Sequence, residues 1–222
     1  MSRTSGIPFF RPSSRRASSR GAEEAGQAHR SRRSRRGQSL VEFSLVFPFF
    51  LILLFSVIEF AFALNALLSV DFATREAALA AAEAGRQTYA DCSILRAVER
   101  SIESPSDDRR LLRVRIFKAT ATGSSASPLH EIVYTRTGSL SCPMADGTAA
   151  TLPYSYVSGD YTSDTRCDTL AGCGPGAASV DTIGVEATYD YRWHTPLPRL
   201  WPQSGVGYVM TNGNAMRMEP VQ

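Results

Sequence analysis

The sequence lacks the short motifs that most often mark an enzyme. It contains no G-x-S-x-G, no H-E-x-x-H and no phosphate-binding G-x-x-x-x-G-K-[ST] segment. Histidine is scarce, with three residues in 222, and we interpret His194 as the end of a strand rather than as a base. Asp107-Asp108 stands beside Arg109-Arg110, which is typical of a solvated charge patch. We therefore expect no catalytic centre and no cofactor.

Cysteine is also scarce, and none of the four cysteines forms a C-x-x-C pair. A zinc site is the rival interpretation to disulfides. Zinc sites favour such pairs with nearby histidines, however, and only His130 and His194 are at hand. Four cysteines allow three disulfide pairings. We expect Cys167–Cys173 as a local loop staple and Cys92–Cys142 as a link between a helix and the sheet.

No charged residue occurs in the sixteen positions from Phe43 to Ile58. A helix needs about 20 apolar residues to cross a bilayer, and the run resumes after Glu59 as far as Leu64. We therefore predict a transmembrane segment over residues 38–68, with its core at about 43–64. The run is too long for an ordinary signal peptide, and no clear small-residue cleavage site follows it. The alternative is a buried core helix of a soluble protein.

Acidic residues are nearly missing from the first 36 positions, which hold ten arginines against two glutamates, a net charge of +8. Alone, such a tail could bind nucleic acid. Directly before a membrane span it instead indicates the cytoplasmic flank of the positive-inside rule. We expect residues 1–37 to be a disordered cytoplasmic leader, with no nucleic acid as partner.

The leader meets the span at Gly37-Gln38-Ser39-Leu40-Val41-Glu42-Phe43. A prepilin-type cleavage site has this form: a glycine after a basic leader, then four residues, a glutamate and an apolar helix. After cleavage, Glu42 would lie near the new amine of Gln38 or near that of a neighbouring subunit. Glu42 and Glu59 are separated by about 25 Å along a helix. They could therefore lie near opposite edges of the membrane.

Three segments resemble the TadE-like pilus assembly proteins. They are Arg35–Pro48, Ile58-Glu59-Phe60 and Ala73-Thr74-Arg75-Glu76-Ala77-Ala78. Together they extend from Gly37 to about Ala82, and Ala215–Pro220 is a weaker match to the R-x-E-P ending of many members. The resemblance implies that Gly37 is the last leader residue, Gln38 the first mature residue and Glu42 the position-five glutamate.

The resemblance also implies a function: a minor pseudopilin of a tight-adherence, Flp-type pilus system that helps to build or initiate the pilus. Its implied partners are a prepilin peptidase, the major pilin, a second pseudopilin, the inner-membrane platform and membrane lipid. It would be a single-pass protein of the bacterial inner membrane, with its N-terminus cytoplasmic and its C-terminal domain periplasmic. The alternatives are an uncleaved assembly factor of the same system and a membrane-tethered binding domain unrelated to pili.

Beyond the span the sequence predicts an α+β arrangement with a small antiparallel sheet. We expect a helical region over residues 69–103, in which Gly85 ends the long helix and a second helix runs from Asp91, its N-cap, to about Ser101. We expect a sheet domain over residues 104–222, with a long disulfide-stapled loop at about 136–178. The predicted strands lie at 112–117, 131–135, 183–191, 206–211 and 215–218, with Asn212-Gly213 as a turn between the last two.

Overall fold

A long helix precedes an antiparallel sheet in the computed structural model of the chain, which describes residues 20–102, 106–120, 130–143, 146–173, 179–196 and 207–219. Helix α1 comprises Arg20–Ala84 and includes Pro48, so it begins within the leader that was predicted to be disordered. The backbone contacts divide the chain into two compact units, one ending at Leu53 and the other beginning at Leu54. The second unit contains the whole sheet.

The two helices end and begin close to the predicted positions. Gly85 adopts a φ of 54° and its N–H donates to the carbonyl of Ala81 at 3.2 Å, which confirms the predicted C-terminal cap. Helix α2 comprises Ala90–Ile102. Asp91 therefore lies in the first turn of α2, and the prediction that it is the N-cap is wrong.

Seven strands follow in the described part of the chain. Five of them form the main sheet in the order β5-β2-β1-β6-β7, with every neighbouring pair antiparallel. The remaining two, β3 and β4, form a separate hairpin. The strands are β1 (Leu111–Ala119), β2 (Glu131–Thr135), β3 (Leu140–Pro143), β4 (Ala149–Leu152), β5 (Ser155–Gly159), β6 (Thr182–Arg192) and β7 (Gly207–Arg217).

An irregularity at the start of β1 changes which leucine faces the core. The pairing of β1 with β6 shifts register between Leu111 and Arg113. A bulge of this kind inserts one residue and reverses the alternation of side chains. Leu111 is therefore 1% exposed, whereas Leu112, which the alternating pattern groups with Val114 and Ile116, is 44% exposed.

The predicted turn at Asn212-Gly213 is wrong, because β7 runs straight through it and pairs with β6 along its whole length. Alternate residues of a strand project to the same face, and here Asn212 and Asn214 both reach α1. Their amide groups donate to the Asp71 carboxylate at 3.0 and 3.3 Å, and that of Asn214 also donates to the Thr74 hydroxyl at 2.8 Å. These contacts hold the segment extended.

The described residues of the segment 136–178, which was predicted to be a long loop, contain three strands, β3 to β5, and a 3-10 turn at Ser163–Thr165. Residues 144–145 and 174–178 lie outside the described part of the chain. The prediction failed because strands of four or five residues among Gly, Ser, Thr and Asp have a weak alternating pattern.

One apolar core joins the C-terminal half of α1, helix α2 and one face of the sheet. Small residues line α1 here, and they let the sheet approach closely. The opposite face of the sheet is charged: Arg115 bonds to Glu186 at 3.4 Å and to Glu131 at 3.5 Å. The buried side chains of α1 in this core are Ala66, Val70, Ala73, Ala77, Ala78 and Ala81.

Candidate functional site

The predicted cleavage junction lies on the exposed surface of α1. Gln38 and Glu42 are one helical turn apart, and the Gln38 side-chain amide donates to the Glu42 carboxylate at 3.2 Å. A Cβ atom added to Gly37 would meet no atom within 4 Å. Glycine in a helix interior costs about 1 kcal/mol relative to alanine. Packing therefore gives no reason for a glycine at position 37.

The side chains that follow the junction are apolar and exposed. Leu40, Phe43 and Phe49 are 69%, 62% and 71% exposed, and contiguous apolar patches of this kind are rare on soluble monomers. The helical stretch Gly37–Ala84 is the one helix among the described residues that is long and apolar enough to cross a membrane. The chain therefore has a segment that could anchor it in a membrane.

Glu59 forms a second site, inside the unit that begins at Leu54. Its side chain is buried, although it is the first charged residue after the apolar run. The Tyr191 hydroxyl donates to Oε1. The backbone N–H of His194 donates to the same oxygen at 3.1 Å, and that of Thr195 donates to Oε2 at 2.7 Å. Four polar groups thus converge where β6 ends.

This arrangement fixes the end of β6 to α1. Buried carboxylates are tolerated when several donors satisfy them, and here one hydroxyl and two backbone amides do so. Burial and the hydrogen bond to Glu59 raise the pKa of the Tyr191 phenol. The sequence singles out Glu59, but only as a carboxylate at a membrane edge. Its partners could not be found, because two of them are backbone groups that carry no sequence signal.

The cysteines form two disulfides among the residues that the structure describes. Cys92 of α2 is bonded to Cys142 of β3 with their Cα atoms 5.5 Å apart. This confirms the predicted pairing, and the bond links α2 to the β3–β4 hairpin. Cys167 is bonded to Cys173, with Cα atoms 4.4 Å apart. Sulfurs bonded to each other are not available as zinc ligands.

A buried ion pair that the sequence did not reveal holds the loop before Cys167. The Arg166 guanidinium is fully buried and bonds to the Asp91 carboxylate, which also accepts a hydrogen bond from Tyr134 at 2.8 Å. The Tyr161 ring lies 5.2 Å from the guanidinium carbon. Asp91 is therefore a link between α2 and the loop rather than a helix cap.

In the part of the chain that the structure describes, one candidate membrane span is joined to a disulfide-bonded α+β domain. Residues 37–79 of the chain match the family model of TadE-like proteins. The match contains Gly37, Glu42 and Glu59 and ends within α1, so it includes none of the sheet. It confirms the resemblance drawn from the sequence. No curated protein and no solved structure matches the chain.

Proposed function

We propose that this protein is a minor pseudopilin of a tight-adherence, Flp-type pilus system. In this proposal a prepilin peptidase removes the leader after Gly37. The mature protein, anchored by α1 in the inner membrane, then helps to build or initiate the pilus. The TadE-like match over residues 37–79 supports the association with this pilus system. The role is one of assembly rather than of catalysis.

The observation that carries the proposal is the state of the Gly37–Glu42 junction. Gly37 is a glycine that no neighbouring atom requires, and Glu42 is an exposed carboxylate at the edge of an apolar helix. A peptidase that must reach the backbone would require a small residue at position 37. Cleavage would also place Glu42 in the first turns of a new helix, where a carboxylate is favoured by the helix dipole.

The orientation follows from the charges on the two sides of the apolar run. Ten arginines precede it, so the positive-inside rule keeps the N-terminus in the cytoplasm. The cysteines would then lie on the periplasmic side, where disulfides persist. The major pilin, the second pseudopilin and the inner-membrane platform are the partners that such a protein would contact.

Substitution of Gly37 tests the cleavage step. A leucine at this exposed position meets no atom at its Cβ and improves helix propensity, so it should leave the fold intact. We expect Gly37→Leu to block removal of the leader and Gly37→Ala to slow it only slightly. The readout is the intact mass of the membrane-extracted protein after co-expression with a prepilin peptidase. Normal processing of Gly37→Leu would contradict the proposed site.

Substitution of Glu42 tests the step that follows cleavage. Glu42→Gln keeps the size of the side chain but removes its charge. We expect processing at the normal rate and strongly reduced piliation, counted by electron microscopy, because the amine that Glu42 would pair with loses its partner in the assembled state. Glu76→Gln is the matched control on the same helix, since this carboxylate is also exposed. Normal piliation of Glu42→Gln would refute the charge-pair role.

The alternative is an uncleaved assembly factor of the same system, anchored permanently by α1. It predicts that the protein keeps its arginine-rich leader in cells with an active prepilin peptidase. It also predicts that Gly37→Leu leaves piliation unchanged.

A further inference from the structure

Four exposed aromatic side chains belong to the segments around Glu59, two of them on α1 and two in the sheet region. Phe60 and Phe62 of α1 are 64% and 46% exposed, and Trp193 and Tyr208 of the sheet region are 37% and 63% exposed. We call this set the aromatic rim. Exposed aromatic residues are ordinary when they are scattered singly, so the position of this group is what matters.

The Glu59 contacts set that position. The ring of Phe62 lies 5.0 Å from that of His194, the residue whose N–H binds Glu59. The ring of Trp193 lies 5.9 Å from that of Tyr191, whose hydroxyl binds Glu59.

The pairing of β7 with β6 places Tyr208, the fourth residue of the rim. Tyr208 of β7 is the direct partner of Tyr191 of β6. Residues directly opposite each other in an antiparallel pair project to the same face. Tyr208 therefore projects on the face that carries Tyr191, toward the side of the sheet that α1 covers. Phe62, Trp193 and Tyr208 thus lie around the Glu59 contacts, and Phe60 directly follows Glu59 along α1.

Glu59 is the first charged residue of α1 after the apolar run. The sixteen uncharged positions end at Ile58, so a bilayer that contains this run reaches its polar boundary near Glu59. Tryptophan and tyrosine are enriched at this boundary, because their rings are apolar and their N–H or O–H groups can bind headgroups or water. The rim therefore has the composition and the level of an interfacial belt.

The charged groups near the rim fit the same setting. The Arg192 side chain, 60% exposed, bonds to Asp190 at 3.1 Å, and the Glu59 carboxylate is buried and bonded to several donors. If α1 spans the membrane, lipid surrounds the apolar run that ends at Ile58, close to the rim. Lipid is therefore the molecule that the rim would contact, and no protein partner is needed.

We propose that the aromatic rim lies in the headgroup region of the bilayer, so that the sheet touches the membrane surface beside the helix that anchors it. This contact gives the domain a second attachment and fixes its orientation above the membrane. The proposal rests on one part of the proposed function, the insertion of α1 in a membrane.

The test uses the fluorescence of single tryptophans in the full-length protein, reconstituted in phosphatidylcholine vesicles. Trp201→Phe leaves Trp193 as the only emitter. We expect a blue-shifted emission maximum, with stronger quenching by a nitroxide on the lipid headgroup than by bromine in the middle of the acyl chain. A Tyr208→Trp variant in the background Trp193→Phe, Trp201→Phe should behave in the same way.

Two matched emitters in the same double-phenylalanine background provide the controls. Leu170→Trp places an emitter at a residue that is 51% exposed. Leu170 lies two residues after Asp168, whose carboxylate accepts a hydrogen bond from the backbone N–H of Arg86. Arg86 is about 40 Å from Glu59 along the helix axis. The emission of the Leu170→Trp variant should be quenched neither by the headgroup nitroxide nor by the mid-chain bromine. Phe50→Trp, within the apolar run, should be quenched by the mid-chain bromine.

The outcomes separate the two proposals. If Phe50→Trp is quenched but Trp193 behaves like Leu170→Trp, the rim does not contact the bilayer and only the present inference fails. If Phe50→Trp is not quenched, α1 does not insert, and the proposed function and the rim contact are both overturned. Circular dichroism checks that each variant folds.

Discussion

At the scale of single residues, Glu59 carries the largest structural effect. A charged group would be costly beside an apolar run, and three donors from the end of β6 remove most of that cost. The same contacts tie α1 to the sheet in a segment where α1 is otherwise lined by small side chains. Glu59 is thus a stabilising contact within the folded unit as well as the first charged residue after the apolar run.

Replacement of Glu59 by glutamine should destabilise the folded unit. The amide turns at least one N–H donor toward groups that themselves donate, and a buried donor without an acceptor costs about 1–3 kcal/mol. For a chain of this size we expect the melting temperature in detergent to fall by roughly 3–10 °C. Glu76→Gln, an exposed carboxylate on the same helix, should change it by no more than about 2 °C. Equal melting temperatures for the two variants would remove Glu59 from this role.

At the scale of elements, the sequence predicts the apolar helix, its end at Gly85 and the helix α2 with little error. These depend on local signals: composition, a positive φ at a glycine and a helical period. The turn at Asn212-Gly213 failed, although that dipeptide is a strong local signal. Here Asp71, about 140 positions earlier in the chain, binds both asparagine side chains, and Thr74 also binds Asn214. Such a distant contact is not visible in a local pattern.

The residues of the candidate sites also fall into two groups, those with a local sequence signal and those that only the fold brings together. Gly37, Gln38 and Glu42 can be proposed from the sequence because spacing along one helix defines them, and their roles stay a prediction. Tyr191 and the amides of His194 and Thr195 were not found, because the fold brings them to Glu59 from more than 130 positions away. The pairing of Asp91 with Arg166 has no local signal either, since the two residues lie 75 positions apart.

The two disulfides should differ in their contribution to stability. Cys92–Cys142 closes a separation of 50 residues, whereas Cys167–Cys173 closes a separation of 6. Loop entropy then gives about 4 kcal/mol for the first and about 2 kcal/mol for the second. We expect Cys92→Ser/Cys142→Ser to lower the free energy of unfolding in urea by more than Cys167→Ser/Cys173→Ser does. The reverse order would show that the entropy of the unfolded chain does not determine which disulfide stabilises more.

At the scale of the whole molecule, two features of the chain serve two different purposes. The helix from residue 37 to residue 58 carries the junction and the apolar run. The unit from Leu54 onward carries the disulfides and the core. The TadE-like match extends over the first feature and into the second only along α1. The family match therefore rests on the helix alone, and the sheet has no counterpart in the matched residues.

The measurement that tests this account most directly is the N-terminal sequence of the protein recovered from its native membrane. The account predicts a single start at Gln38, with the arginine-rich leader absent. A protein that retains the leader in cells with an active prepilin peptidase would contradict it and would leave the uncleaved assembly factor as the better description.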